Sequence, residues 1–241
     1  MKKIAVLSVI ASILLLTSSI ALINRNTLPE IDAFNQGDRC FIRSTVVLDA
    51  GHGGEDGGAV AADGTLEKNL NLEFTKCISV FFDLFGISYK TTRTTDVSVG
   101  DPSLSSVRER KRSDILRRFQ MVNQYSDSVL LSIHQNLFTQ SEYCGAQVFY
   151  AKCQPESEKI AKCIQSTVAS FMQPDNHREI KGSDSNIYLL YNAKRPSVLV
   201  ECGFLSNPEE LLKLKSPEYR SALSYAIVRG FMAYCFTQKS A

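Results

Sequence analysis

The 241-residue chain has no tryptophan and only three histidines. The first absence weakens any reading as a lectin that stacks sugars on indole rings, and the second makes every histidine worth placing. There is also no surplus of one charge sign: 27 Lys+Arg stand against 25 Asp+Glu, for a net charge of +2. Phosphate binding needs a clear excess of cations on one face, so nucleic acid is excluded as the main partner. Internal repeats and low-complexity tracts are missing. The seven cysteines (Cys40, Cys77, Cys144, Cys153, Cys163, Cys202 and Cys235) form no C-x-x-C pair and no metal-finger spacing. An odd number leaves at least one thiol unpaired, and most are expected to serve as small buried apolar residues. A Cys144–Cys153 or Cys153–Cys163 bridge stays open at this level.

What is present is a globular composition, 44% apolar and 22% charged, in a length that suits one large domain or two small ones. Lys2 and Lys3 precede an uncharged run from Ile4 to Ile23. About 20 such residues suffice to span a bilayer as a helix, so residues 1–23 read as a signal peptide or membrane anchor. The basic pair favours a cytoplasmic N-terminus, and the rest of the chain is expected to be exported. Residues 24–43 read as a polar tether, and 44–238 as the folded domain.

That domain alternates strand and helix. Ser44–Ala50 is a β-branched apolar strand that runs into a glycine-rich stretch, Gly51–Gly58. Leu66, Leu70, Phe74, Ile78, Phe81, Phe82 and Phe85 recur at helical spacing, with Gly86 as a stop. Ile87–Arg93, Ser128–His134, Gly145–Tyr150 and Ser197–Gly203 read as further strands. Ser106–Tyr125 reads as a charged helix with Ile115, Phe119 and Val122 on one face, and Ser157–Gln173 as another helix through Phe171. Ile187–Tyr191 is ambiguous. Asn207-Pro208-Glu209-Glu210 reads as a capped helix start with a glutamate reaching back, and Ser216-Pro217-Glu218 opens the last helix. This order predicts a single three-layer α/β/α domain on a mixed, mostly parallel sheet.

In such a sheet, ligands bind where strands end. His52 follows the first strand, His134 ends another and Glu201 lies near the end of a third. Two imidazoles and a carboxylate suit a zinc ion with an open fourth position. The carboxylate must lie near His52 in the fold: Glu67 is the choice, with Glu55, Asp56 and Asp63 competing on spacing. A phosphate cradle in Gly51–Gly58 is disfavoured, because Glu55 and Asp56 would repel the ligand. Cys202 is a rival nucleophile, but neighbours on a strand point to opposite faces, so a pocket-facing Glu201 turns Cys202 into the core.

The segments Leu48-Asp49-Ala50-Gly51-His52-Gly53-Gly54, Leu66-Glu67-Lys68, Thr92-Arg93, Ser132-Ile133-His134-Gln135-Asn136 and Val200-Glu201-Cys202-Gly203-Phe204-Leu205-Ser206-Asn207 occur in series. Together they resemble the zinc-dependent N-acetylmuramoyl-L-alanine amidases over residues 44–236, and most of all the germination-specific branch of spore-forming bacteria. Ala50 and Gln135 depart from residues common in that family, at positions that are not ligands. The resemblance implies one zinc ion on His52, Glu67 and His134, with Glu201 as catalytic acid/base. It also implies cleavage of the amide between N-acetylmuramic acid and L-alanine in peptidoglycan, in the wall or spore envelope.

On that resemblance a bound zinc would activate water and polarise the carbonyl, and Glu201 would move the proton from water to the departing amine. Gln135, Asn136, Arg178 and Lys181 are candidate substrate contacts; His177 is expected in solvent, and Arg93 and Arg118 in buried pairs. No long helix is inserted to plug the site, so an open cleft is expected, with activity limited by location, timing or a regulatory protein partner. The competing readings are a zinc carboxypeptidase acting on the stem peptide and a non-catalytic wall-binding regulator.

Overall fold

The computed structural model describes residues 44–237. The expected export segment 1–23, the tether 24–43 and Cys40 lie outside the described residues. Among the described residues, no helix is long and apolar enough to cross a membrane.

The first strand, β1 (Val46–Ala50), is buried at all five positions. It has a parallel neighbour on each side, β2 (Tyr89–Thr91) and β3 (Val129–Asn136). With helices on both faces of the sheet as well, the strand has no solvent side to alternate with, and its one charged residue, Asp49, is buried with its apolar neighbours. β6 (Ser197–Phe204) continues the sheet parallel to β3; β4 (Gln147–Tyr150) lies antiparallel on β6, and the two-residue β5 (Lys181–Gly182) closes the edge. The order is β2-β1-β3-β6-β4-β5. A single antiparallel pairing in an otherwise parallel sheet is the mixed architecture expected.

Helices cover both faces. On one lie α1 (Glu67–Phe85), α3 (Pro155–Met172) and α6 (Pro217–Thr237), joined through Phe74, Ile78, Phe82, Ile160, Ile164 and Phe231. On the other, Val122 of α2 (Val107–Asn123) and Leu190 of the one-turn α4 (Tyr188–Tyr191) pack on Val47, Leu130 and Leu199. The ambiguous Ile187–Tyr191 segment is thus a short helix. α1 stops at Gly86, whose left-handed φ of 66° lets its N–H turn back to the carbonyls of Phe82 and Asp83.

Three local expectations are corrected. α2 buries Arg118 and Val122, while Ile115 is left 39% exposed. The cause is an ion pair: Arg118 reaches through the face to Asp49 of β1 and holds Asp114 at 2.5 Å, which sets the helix phase. At the start of α5 (Pro208–Lys215), Asn207 caps the Glu210 N–H as expected. The Glu210 carboxylate, however, accepts the N–H groups of Phe204 and Gly145 at 2.7 Å each instead of reaching back to Asn207. It thereby ties the end of β6 to the approach of β4. Finally, among the described cysteines only Cys202 is buried, against the expectation that most would be, and Cys144, Cys153 and Cys163 are free thiols, so neither open disulfide pairing forms.

Asp49 is 1% exposed, and it accepts Thr92 and Ser132 hydroxyls besides the guanidinium of Arg118. Burial alone would raise its pKa, but the charge of Arg118 and the Ser132 hydrogen bond bring it down to about 2. A carboxylate depressed in this way stabilises the fold above its ordinary pKa of 3.8, and that contribution is lost as the pH falls toward about 2. Breaking a buried pair from one side costs about 3–5 kcal/mol. Denaturant titration of Asp49→Asn is therefore expected to show a loss of that size at neutral pH and a flatter acid limb than the parent. Equal stability of the two proteins at pH 7 would contradict this account of the pair.

Candidate functional site

β1, β3 and β6 run side by side in one direction, so their C-terminal ends share one edge of the sheet. Register sets the details there. His134 on β3 pairs with Glu201 on β6, and Glu201 pairs across its other side with Gln147 on β4. The chain leaves β1 at Gly51, and a side chain at that position is forbidden: a Cβ would lie 2.2 Å from the His134 ring. The next residue, His52, is the sole non-glycine residue with positive φ among those described, at 62°. An L-residue held in that region is strained. Hydrogen bonds hold it there: Arg118 Nη2 donates to the His52 carbonyl at 2.7 Å, and Arg93 ties down the carbonyls of Ala50 and Gly51. Arg93 thus serves backbone carbonyls, whereas Arg118 sits in the buried pair that was expected.

The first turn of α1 brings Glu67 back against this edge. One carboxylate oxygen lies 3.1 Å from His52 Nε2 and accepts the Ala59 N–H. The other lies 2.9 Å from His134 Nδ1 and accepts hydrogen bonds from Asn71 Nδ2 and the Gln135 N–H. The three residues place their ligand-type atoms within 4.8 Å of one another. Tetrahedral ligands roughly 2.0–2.1 Å from a zinc ion sit about 3.4 Å apart, so the donor chemistry and its spacing both fit that metal. Glu55 is taken by Arg110 and Asp63 by Lys215, which removes two of the competitors for this place. Asp56 instead accepts the other ring nitrogen of His52 at 2.9 Å.

Burial works against a charged His52, but hydrogen bonds to Asp56 and Glu67 overcome it and raise its pKa to about 9. Burial likewise opposes the Glu67 carboxylate, and the hydrogen bonds of the two imidazoles carry it well below the usual range. Glu201 behaves oppositely. Burial, reinforced by the nearby charge of Glu67 against the opposing histidines, pushes it up to about 7. Its Oε2 is buried with no hydrogen-bond partner. Beside it, Cys202 is fully buried in the core under the α1, α3 and α6 layer, and burial raises its thiol pKa further from the nucleophilic range.

The remaining candidates separate. Gln135 is 3% exposed and donates to Asn71 Oδ1, so it lies beneath the site and cannot meet a glycan from the surface. This corrects the expected substrate contact: alternation along β3 turns Gln135 inward while His134 and Asn136 stay half-buried at the open end. Arg178 stacks over Phe204 at 4.4 Å and Tyr143 at 5.6 Å and donates to the Cys144 carbonyl. Lys181 is on the edge strand, over the Phe149 ring, and not in a loop. Both lie toward the β4–β5 side and outside the cluster, and His177 is exposed as expected. Sequence reasoning missed Asn71 and the orienting part of Asp56. Asn71 carried a readable signal, being one helical turn from Glu67 on the same face; Asp56 carried none beyond proximity.

Residues 46–233 match the family described as N-acetylmuramoyl-L-alanine amidase. A germination-specific N-acetylmuramoyl-L-alanine amidase of Bacillus subtilis is 34% identical over 194 residues, covering 80% of each chain. The solved CwlD amidase of Clostridioides difficile, in complex with the GerS lipoprotein, is 36% identical with a TM-score of 0.77, over 80% of this chain and 99% of that one. An N-acetylmuramoyl-L-alanine amidase of Clostridium difficile 630 is 29% identical with a TM-score of 0.68, over 79% and 96%. Fold, site geometry and these likenesses agree, and the chain belongs to the N-acetylmuramoyl-L-alanine amidase family of peptidoglycan hydrolases.

Proposed function

We propose that this amidase holds one zinc ion on His52, Glu67 and His134 and uses Glu201 as its acid/base. It thereby cuts the amide between N-acetylmuramic acid and L-alanine, in spore-cortex peptidoglycan. The observation that carries the reading is the convergence of two imidazoles and a buried carboxylate beside a second carboxyl whose oxygen has no protein partner. Bound there, zinc supplies a Lewis acid for the scissile carbonyl and activates water.

The chain's own residues do the rest. Glu67 is held by Asn71, the Gln135 N–H and the Ala59 N–H, which fix its oxygens toward the two imidazoles. Asp56 orients His52 from behind, the role that such carboxylates play for metal-bound histidines. Glu201 takes the proton of the attacking water and returns it to the leaving amine nitrogen. Asn136, at the open end of β3 beside His134, is placed to hydrogen-bond the glycan or peptide. All four residues of the metal and acid/base set are present, which favours an enzyme over a wall-binding relic.

Support for the spore role is the likeness to a germination-specific relative. The complex of the CwlD relative with a lipoprotein supports a regulatory protein partner here as well. For the remainder, we take residues 1–23 as the export signal or membrane anchor, 24–43 as the tether and 44–238 as the catalytic domain, working outside the cytoplasm.

Purified protein is expected to release stem peptides with a free L-alanine amino terminus from peptidoglycan, to stop when a chelator is added, and to resume on zinc readdition. Products shortened from the peptide's carboxyl end would point to a carboxypeptidase instead. Glu201→Gln should abolish turnover with zinc still bound, whereas Cys202→Ala keeps most activity; a dead but folded Cys202→Ala protein overturns the assignment of the nucleophile. Removing a partner of a metal ligand typically costs 10–100-fold in affinity. Asn71→Leu is accordingly expected to weaken zinc binding by about that much in a chelator competition, and an unchanged affinity would show that Glu67 needs no such support.

A further inference from the structure

α2 carries six cations, Arg108, Arg110, Lys111, Arg112, Arg117 and Arg118, against Glu109 and Asp114. Six less two gives +4 on one helix, in a chain whose total is +2. The fold uses three of them: Arg118 on Asp49 and Asp114, Arg110 on Glu55, and Lys111 on Asp56. Arg108 and Arg112 are exposed and make no ion pair or hydrogen bond among the described residues. Their positions follow a helical stripe: Arg108, Arg112, Ile115 and Phe119 are spaced i, i+4, i+7 and i+11, on one side of α2.

The direction of that stripe is fixed at its lower end, where Phe119 meets Tyr188 of α4 edge-on at 5.8 Å. α2 covers β1 and α4 covers β6, which sets Phe119 on the flank of α2 that looks toward β3, the strand that carries His134, while the base of Arg112 also borders the loop of Val99, Gly100, Asp101 and Leu104. At the upper end, Lys111 Nζ lies 2.8 Å from Asp56, the residue that holds His52. Ile115, 39% exposed, continues the stripe below the two arginines as an apolar step toward Phe119.

We propose that the α2 stripe of Arg108, Arg112 and Ile115 is the wall that receives the acidic stem peptide of the substrate, its guanidiniums meeting the peptide carboxylates beyond L-alanine. The proposal rests on the amidase reading and adds a polarity to it: the leaving peptide lies along α2. Charge complementarity carries it, since the neutral sugar offers these cations nothing and the peptide's carboxylates do.

The test compares two muropeptides, one with free peptide carboxylates and one with those carboxylates amidated, on the zinc-loaded protein and its Arg108→Gln/Arg112→Gln variant. Exposed charge pairs contribute modestly, so the variant should lose about five- to tenfold in its preference for the acidic substrate, through KM rather than kcat. Its kcat/KM should also fall less steeply with salt, and the Arg108→Lys/Arg112→Lys protein should recover most of the preference. The same peptides are titrated calorimetrically into Glu201→Gln protein with and without the two glutamines, which reads the wall without turnover. A preference and a peptide affinity unmoved by the glutamines overturn the proposal, as does a variant whose sole defect is weaker binding to anionic lipid vesicles. A wild-type protein that cleaves neither muropeptide defeats the amidase reading, and the calorimetric arm still decides the wall.

Discussion

One carboxylate does most to hold this site together. Glu67 enters from the first turn of α1, is 4% exposed, and receives hydrogen bonds from three chain segments: the glycine loop through Ala59, its own helix through Asn71, and β3 through Gln135. Each of its oxygens also faces one imidazole, at 3.1 Å and 2.9 Å. An ionised acid at this depth is costly unless its lone pairs are occupied. Here they are occupied, and the same contacts that relieve the burial determine where two histidines must stand. Removing that charge would leave the histidines beside each other, with ring centroids 5.0 Å apart and no shared partner.

A second buried charge supports the first from below. Asp49 precedes the glycine loop by two residues and is held by Arg118, Thr92 and Ser132, from α2, the end of β2 and β3. Arg118 then extends to the carbonyls of Ala50 and His52, so the strained backbone at His52 is pinned by the same side chain that locks α2 to the sheet. Stability and site geometry thus depend on one network. On the exposed part of α2, Lys111 still pairs with Asp56, whereas Arg108 and Arg112 make no ion pair among the described residues.

Glu201 and Glu67 show how two carboxyl groups on one edge come to differ. Glu67 is buried with imidazoles and N–H donors on it, whereas Glu201 is half-buried and its inward Oε2 has no partner. The first is therefore kept charged and the second is pushed up to about 7. Environments that separate two acids in this way divide anchoring from proton transfer. The fold produces the division by register, which sets Glu201 across from His134 and directs Cys202 into the core.

Much of this was legible in the chain itself. Hydrophobic periodicity marked α1 and its stop at Gly86; unbroken β-branched runs marked the covered strands; alternation alone separated Glu201 from Cys202. The order of strands and helices dictated the layers, and two of three histidines fell at strand ends. These features are local, and local sterics and burial patterns are written in adjacent residues. Tertiary structure decided the rest. Spacing left Glu55, Asp56, Asp63 and Glu67 open, and only the packing of α1, which brings residues 67 positions apart into contact, shows why Glu67 and not its competitors faces both imidazoles. Ile115 was expected inside and Arg118 took the buried place, because an ion partner 69 positions away outweighed periodicity. Gln135 read as a surface contact, yet Asn71 draws it inward. Each of these outcomes turns on which distant groups meet, and that depends on register and helix phase in the assembled fold.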